Sequence, residues 1–164
     1  MFSRAEIIDL AIQIEKNGEK VYRDALEKIS DRSLASLLEW LADEEVEHVK
    51  WFSDLKRMVT KAPVNPHLEE MGKTMLQRVL GDQTFSLKGV DFSKIEQTED
   101  VIKLAIEFER DTVVFYEMIE SFIEDEETLD HLKKIIEEEN RHVQVLEELL
   151  DSGAVKRGMT ASVP

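Results

Sequence analysis

The chain has 164 residues, enough for one domain that buries about two-thirds of its unfolded surface without help from a disulfide. It has no cysteine, which excludes disulfides, thiolate metal sites, iron–sulfur clusters and cysteine nucleophiles, so any metal must be held by nitrogen and oxygen. A formal net charge of −15 repels phosphate backbones and argues against a nucleic-acid partner.

The opening MFSRAEIIDLAIQIEKNGEK lacks the long apolar core and small-residue cleavage site of a signal peptide. No apolar run approaches the ~18 residues that a membrane span needs. The expectation is a chain with no membrane partner, at home in the cytoplasm.

Four stretches carry apolar residues at helical spacing. Residues 3–29 contain one glycine, Gly18, and no proline. One face of this stretch runs Ile7, Ile8, Ala11, Ile14, Ala25, Leu26 and Ile29. Ser3 with Glu6 has the pattern of a capping box. Residues 31–59 contain neither glycine nor proline, and Asp31 is placed to cap them. Residues 60–97 differ, with Pro63, Pro66, Gly72, Gly81 and Gly89 and room for a short helix over 67–80. They read as a crossover, too long for a tight turn between neighbouring antiparallel helices. Residues 98–123 and 125–150 again lack both breakers. Thr98 and Asp125 are their candidate caps, Gly153 is a stop for the last helix, and residues 153–164 read as a tail.

Sliding the chain by 94 positions aligns residues 5–56 with 99–150 without a gap. Shared apolar positions can reflect helical patterning alone. The polar identities are harder to dismiss: Glu15 with Glu109, Tyr22 with Tyr116, Asp31 with Asp125, Glu45 with Glu139, and His48 with His142. The expected fold is all-α: one domain over residues 1–152, built from hairpins 3–59 and 98–152 joined by a long crossover over 60–97. Two such hairpins packed face to face make a ferritin-like four-helix bundle.

His48 follows Glu45 by three positions, and His142 follows Glu139 by three. Residues i and i+3 share a helix face, so each pair can ligate one ion. Glu15 and Glu109 sit mid-helix beside Ile14 and Phe108, where side chains tend to point inward, and a lone inward carboxylate is costly or forced neutral unless it is paired or bound to a cation. Four carboxylates and two neutral imidazoles carry −4, which two divalent ions balance. A lone Glu-x-x-His says little in a chain that is 35% charged. Two of them, each 30 residues after a Glu on the preceding helix, form the di-iron or di-manganese carboxylate pattern. The competing reading is of solvated charges on helix surfaces. Glu44 and Glu138 rival Glu45 and Glu139, because i, i+4 shares a face too; the i+3 partners are preferred.

The residues Glu15…Tyr22…Glu45-x-x-His48 and Glu109…Tyr116…Glu139-x-x-His142 resemble the rubrerythrin branch of the ferritin-like di-iron superfamily. The resemblance covers all four helices. It implies two metal ions, iron first with manganese or zinc as alternatives, and a centre that reacts with peroxide or O2. Ferritin-like relatives instead oxidise and store iron. Rubrerythrins usually carry a four-cysteine iron domain; with no cysteine here, a separate electron-donor protein is implied. They also resemble one another in an extra Glu one turn after the third-helix ligand, where this chain has Thr112, with Gly18 at the repeat-related place.

Tyr22 and Tyr116 each lie seven residues after a ligand Glu, placed to hydrogen-bond a ligand carboxylate from a facing helix or simply to pack. Gly18, at a cost of about 1 kcal/mol against alanine, leaves room either for a ligand or for close packing. Asp43, Glu47, Glu137, Glu138 and Arg141 read as a solvated face, and His67 and His131 as non-ligands. Trp40, Trp51 and Phe52 read as core or as a subunit interface, for which a homodimer is plausible, and Met58, Met71 and Met75 as gap fillers.

Overall fold

A computed structural model describes residues 4–59, 98–121 and 123–153 of the chain. Among these residues there are four helices and no strand: α1 (Arg4–Leu26), α2 (Arg32–Val59), α3 (Thr98–Glu120) and α4 (Glu126–Asp151). Ser3, the 67–80 helix, His67, Met71, Met75 and the residues after 153 lie outside the described residues.

Local chemistry sets the ends. Beyond Leu26 the chain tightens into i→i+3 bonds, from Lys28 N–H to Ala25 O and from Ile29 N–H to Leu26 O, so α1 stops short of Ile29. Asp31 accepts from the Leu34 N–H at 2.9 Å and caps α2. Its repeat partner Asp125 does the same for Thr128 at the start of α4. The bonds to Thr128 hold the Asp125 carboxyl below the usual carboxylate range. Thr98 falls inside α3 rather than ahead of it. Gly153 follows α4 with φ of 66°, the left-handed conformation that glycine adopts without strain, and its N–H reaches Leu150 O.

α1 packs chiefly on α2 and α3 chiefly on α4, and the two hairpins meet through α1 with α3 and α2 with α4. The core is in two parts. One gathers Ile7, Ile14, Phe52, Leu55, Phe115, Ile119, Leu132 and Ile135. The other gathers Val21, Ala25, Leu38, Leu41, Val101, Ile102, Ala105 and Leu146. α1 and α4 run from the first cluster to the second, whereas α2 and α3 run from the second to the first. The chain therefore leaves α2 at one end of the bundle and enters α3 at the other. That is the ferritin-like arrangement, in which two antiparallel hairpins are related by one long connection.

The polar ligand candidates lie where each helix passes between the two clusters. The seam between α1 and α2 carries ion pairs on the outside, such as Lys56 with Asp9 at 2.6 Å and Arg23 with Asp43 at 2.9 Å. Such exposed pairs add little stability, so the apolar clusters hold the fold. Phe52 is fully buried in the first cluster, with its ring against Tyr116. Met58, read from the sequence as a gap filler, is instead 59% exposed. It lies in the last turn of α2, beyond the packed part of the helix. No described helix is long and apolar enough to cross a membrane.

Candidate metal centre

All six residues singled out by spacing are buried at the middle of the bundle: Glu15, Glu45, Glu109, Glu139, His48 and His142. Each helix contributes through its inward face. α1 brings Glu15, α2 brings Glu45 and His48, α3 brings Glu109, and α4 brings Glu139 and His142.

Their donor atoms fall into two overlapping groups. Glu15, Glu45, His48 and Glu139 converge in one, with ligand atoms within 4.8 Å of one another. Glu45, Glu109, Glu139 and His142 converge in the other. The sequence divides the set by hairpin, three residues from each. The structure adds a carboxylate from the opposite hairpin to each group, so Glu45 and Glu139 belong to both. Glu139 stands between the imidazoles: Oε1 lies 2.8 Å from His48 Nδ1 and Oε2 lies 3.0 Å from His142 Nδ1. The two rings are nearly parallel, with centroids 6.2 Å apart.

Burial of polar atoms without partners is costly. Yet Glu15 Oε2, Glu45 Oε1, Glu109 Oε2, both Glu139 oxygens and both Nδ1 atoms are buried without a hydrogen bond. The short approaches to Nδ1 lack hydrogen-bond alignment. These are groups whose lone pairs share one space, which is what a cation binds.

Two tyrosines complete the carboxylates. Tyr22 on α1 donates to Glu109 Oε1 on α3, and Tyr116 on α3 donates to Glu15 Oε1 on α1. Each phenol thus reaches across to the other hairpin and occupies one oxygen, leaving Oε2 of the same carboxylate free. Burial first, and then the bonded carboxylates, push both phenols well above their ordinary pKa. They remain hydrogen-bond donors throughout the neutral range.

In metal-free protein the crowding moves the titration of Glu109, Glu45, His142, His48 and Glu139. Burial and the charge of Glu139 push the Glu109 carboxyl up to about 8. Burial and the charges of Glu139, Glu15 and Glu109 push Glu45 well above the carboxylate range. Burial alone would lower His142, but the carboxylates of Glu109 and Glu139 outweigh it and hold the ring at about 10. His48 is raised against the same burial by Glu138, Glu139 and Glu15. Glu139 is held low because the two imidazoles outweigh its burial. Without metal, protons on the histidines supply the positive charge, and a metal ion entering this cluster would have to displace them.

Glu138, read as a rival ligand or a solvated acid, stands outside both donor groups and is partly exposed. It accepts from His48 Nε2 at 3.0 Å, on the side of the ring away from the cluster. The signal that finds it is its place: the residue before Glu139 points to the next helix over. Trp40, left open as core or interface, meets His142 edge-on with centroids 5.5 Å apart. Asp43, Glu47, Glu137 and Arg141 are exposed as expected. His131 is exposed, stacked on Trp51 and outside both groups.

Gly18 is a close-packing position. A Cβ there would stand 3.1 Å from Glu45 Cδ and 3.1 Å from Phe108 Cε1. Thr112 is buried, and its hydroxyl donates to the Phe108 carbonyl one turn earlier at 2.9 Å.

A family model described as Rubrerythrin matches residues 6–150. No curated protein and no solved structure matches the chain.

Two outcomes follow from this geometry. Gly18→Ala should keep the helical circular dichroism but displace the Glu45 carboxylate, weakening metal affinity by about tenfold or more in a chelator competition titration; unchanged affinity would mean that the carboxylate has slack. In metal-free protein, His142 binds its proton in the fold up to about pH 10 but only to 6.5 when unfolded. Glu109 likewise keeps its proton to about 8 against 4.5. The folded state therefore holds more protons across this range, and its stability must fall as pH rises. Urea midpoints of chelator-treated protein should decrease steadily from pH 6.5 to 10, and a rising midpoint would contradict the assignment.

Proposed function

The chain belongs to the rubrerythrin family, and from that premise we propose that its six buried residues hold two metal ions, iron foremost, in a non-haem di-iron oxidoreductase that reacts with peroxide or O2. Carboxylate and imidazole donors suit iron, manganese or zinc, and the family favours iron. The observation that carries the reading is the set of buried, unpartnered oxygen and nitrogen atoms converging from all four helices. Four carboxylates and two imidazoles match the charge of two divalent ions, and each donor group offers four residues.

An iron pair held there supplies two electrons together to the substrate. The chain's own residues do the rest. Glu45 and Glu139, common to both groups, fix the separation of the two positions. Glu15 with His48 closes one position, and Glu109 with His142 the other. Tyr22 and Tyr116 hold the outer carboxylates by one oxygen and aim the other inward. The apolar clusters above and below exclude water and stiffen the site. Residues 1–164 hold no cysteine for a thiolate iron centre, so on this proposal the electrons come from a donor outside them.

A second reading, an iron-binding or ferroxidase protein without a turnover substrate, draws on one specific observation. The places one turn beyond Glu15 and Glu109 carry Gly18 and Thr112. The first is packed against Glu45, and the hydroxyl of the second is spent on the backbone. Neither offers the extra carboxylate associated with rubrerythrin-type ligand exchange.

The deciding experiment mixes iron-loaded protein with excess reductant, a small redox mediator and hydrogen peroxide. The proposal expects many equivalents of peroxide consumed per chain, with activity lost in His48→Ala. A single oxidation per site, followed by uptake of iron beyond two per chain, supports the second reading and contradicts the first.

A further inference from the structure

The two halves of the centre are related by the repeat but are not alike behind their histidines. On one side His48 Nε2 donates to Glu138 at 3.0 Å. On the other, His142 Nε2 is buried without any hydrogen-bond partner. The repeat counterpart of Glu138 is Glu44, which is correctly placed in sequence and makes no such bond. The side chain that meets the His142 ring is Trp40, edge-on at 5.5 Å. Its counterpart on the other hairpin is Lys134, an exposed residue. One imidazole therefore has a carboxylate on its Nε2, and the other, in edge contact with an indole, has none.

This difference acts on metal affinity. With Glu138 accepting from Nε2–H, neutral His48 is fixed in the tautomer whose Nδ1 lone pair faces Glu15, Glu45 and Glu139. The carboxylate also makes the ring a stronger electron-pair donor and holds its orientation. His142 also turns Nδ1 toward three carboxylates, Glu45, Glu109 and Glu139, but its Nε2 has no hydrogen bond to fix its tautomer. Both positions share Glu45 and Glu139, and each has one further Glu held by one tyrosine. The ligand sets match in residue type, and the backing of the histidine is the difference that acts directly on a donor atom.

We propose that the two metal positions are inequivalent, that the Glu15/His48 position binds a divalent cation more tightly and fills first, and that Glu138 is the positioning residue responsible. The inference rests on the di-metal reading above. The Glu109/His142 position is the weaker one and the one from which an ion exchanges.

The test titrates chelator-stripped protein with Co(II), using a competing chromophoric chelator to measure each step. Wild type should bind two ions in separable steps. Glu138→Ala should weaken the tighter step by roughly ten- to a hundredfold and leave the other nearly unchanged. Glu138→Gln, whose amide oxygen still accepts from Nε2–H, should restore most of the difference. Glu44→Ala, at the counterpart position, should change neither step. Single-position variants assign the order: His142→Ala should keep one tight ion, and His48→Ala one weak ion. Thermal melts followed by circular dichroism check that each variant is folded; Glu138 is partly exposed, and its loss should not unfold the bundle. Two equal steps in wild type, or a Glu138→Ala effect shared equally by both steps, overturns the inference while leaving the di-metal reading intact. Binding of no ion at all removes both.

Discussion

Four glutamates meet in the middle of this bundle with essentially no access to water. Ionised carboxylates so placed repel one another and forgo hydration, and each lone inward charge costs several kcal/mol. The two histidines offset part of this. In metal-free protein they do so by holding protons that burial alone would remove. The resulting layer is polar and strained in charge, and it divides the apolar core into two clusters, one toward each end. The fold is organised around that layer: helices long enough to pass through it, apolar faces above and below it, and a topology that brings one face of every helix to it.

The same constraint accounts for residues that are not ligand candidates. Tyr22 and Tyr116 cross between hairpins because an outer carboxylate with one oxygen facing inward leaves the other without water. A phenol from the facing helix supplies the missing donor and ties α1 to α3 at the level of the site. Gly18 gives up helix propensity where the Glu45 carboxylate and the Phe108 ring would crowd a Cβ at 3.1 Å. Thr112 is tolerated in the same layer because its hydroxyl turns back to its own helix.

Much of this was legible in the sequence, and the reason is periodicity. Glu-x-x-His at i, i+3, an acid 30 residues before each, and a tyrosine two turns after that acid all reflect single-helix geometry, which spacing reports directly. The internal alignment put Asp31 and Asp125 at equivalent helix starts, and both caps are present. What spacing does not report is how helices from different hairpins cross. Sharing of Glu45 and Glu139 by both groups depends on that crossing. So does the contact of Glu138 with His48, which read from the sequence as a rival ligand or a solvated acid. Trp40 and Lys134 occupy equivalent places in the repeat, and only three-dimensional packing reveals that one covers a histidine and the other faces solvent. Met58 misled because apolar character in a terminal turn does not by itself bring packing.

The charge balance of this layer, on the reading proposed above, comes from two metal ions, one per donor group. It is tested most directly by elemental analysis of protein purified without chelator, alongside Glu15→Ala and His48→Ala. The expected result is two metal ions per chain in the wild type and a reduced content in both variants. Less than one metal per chain, with the variants unchanged from wild type, would contradict it.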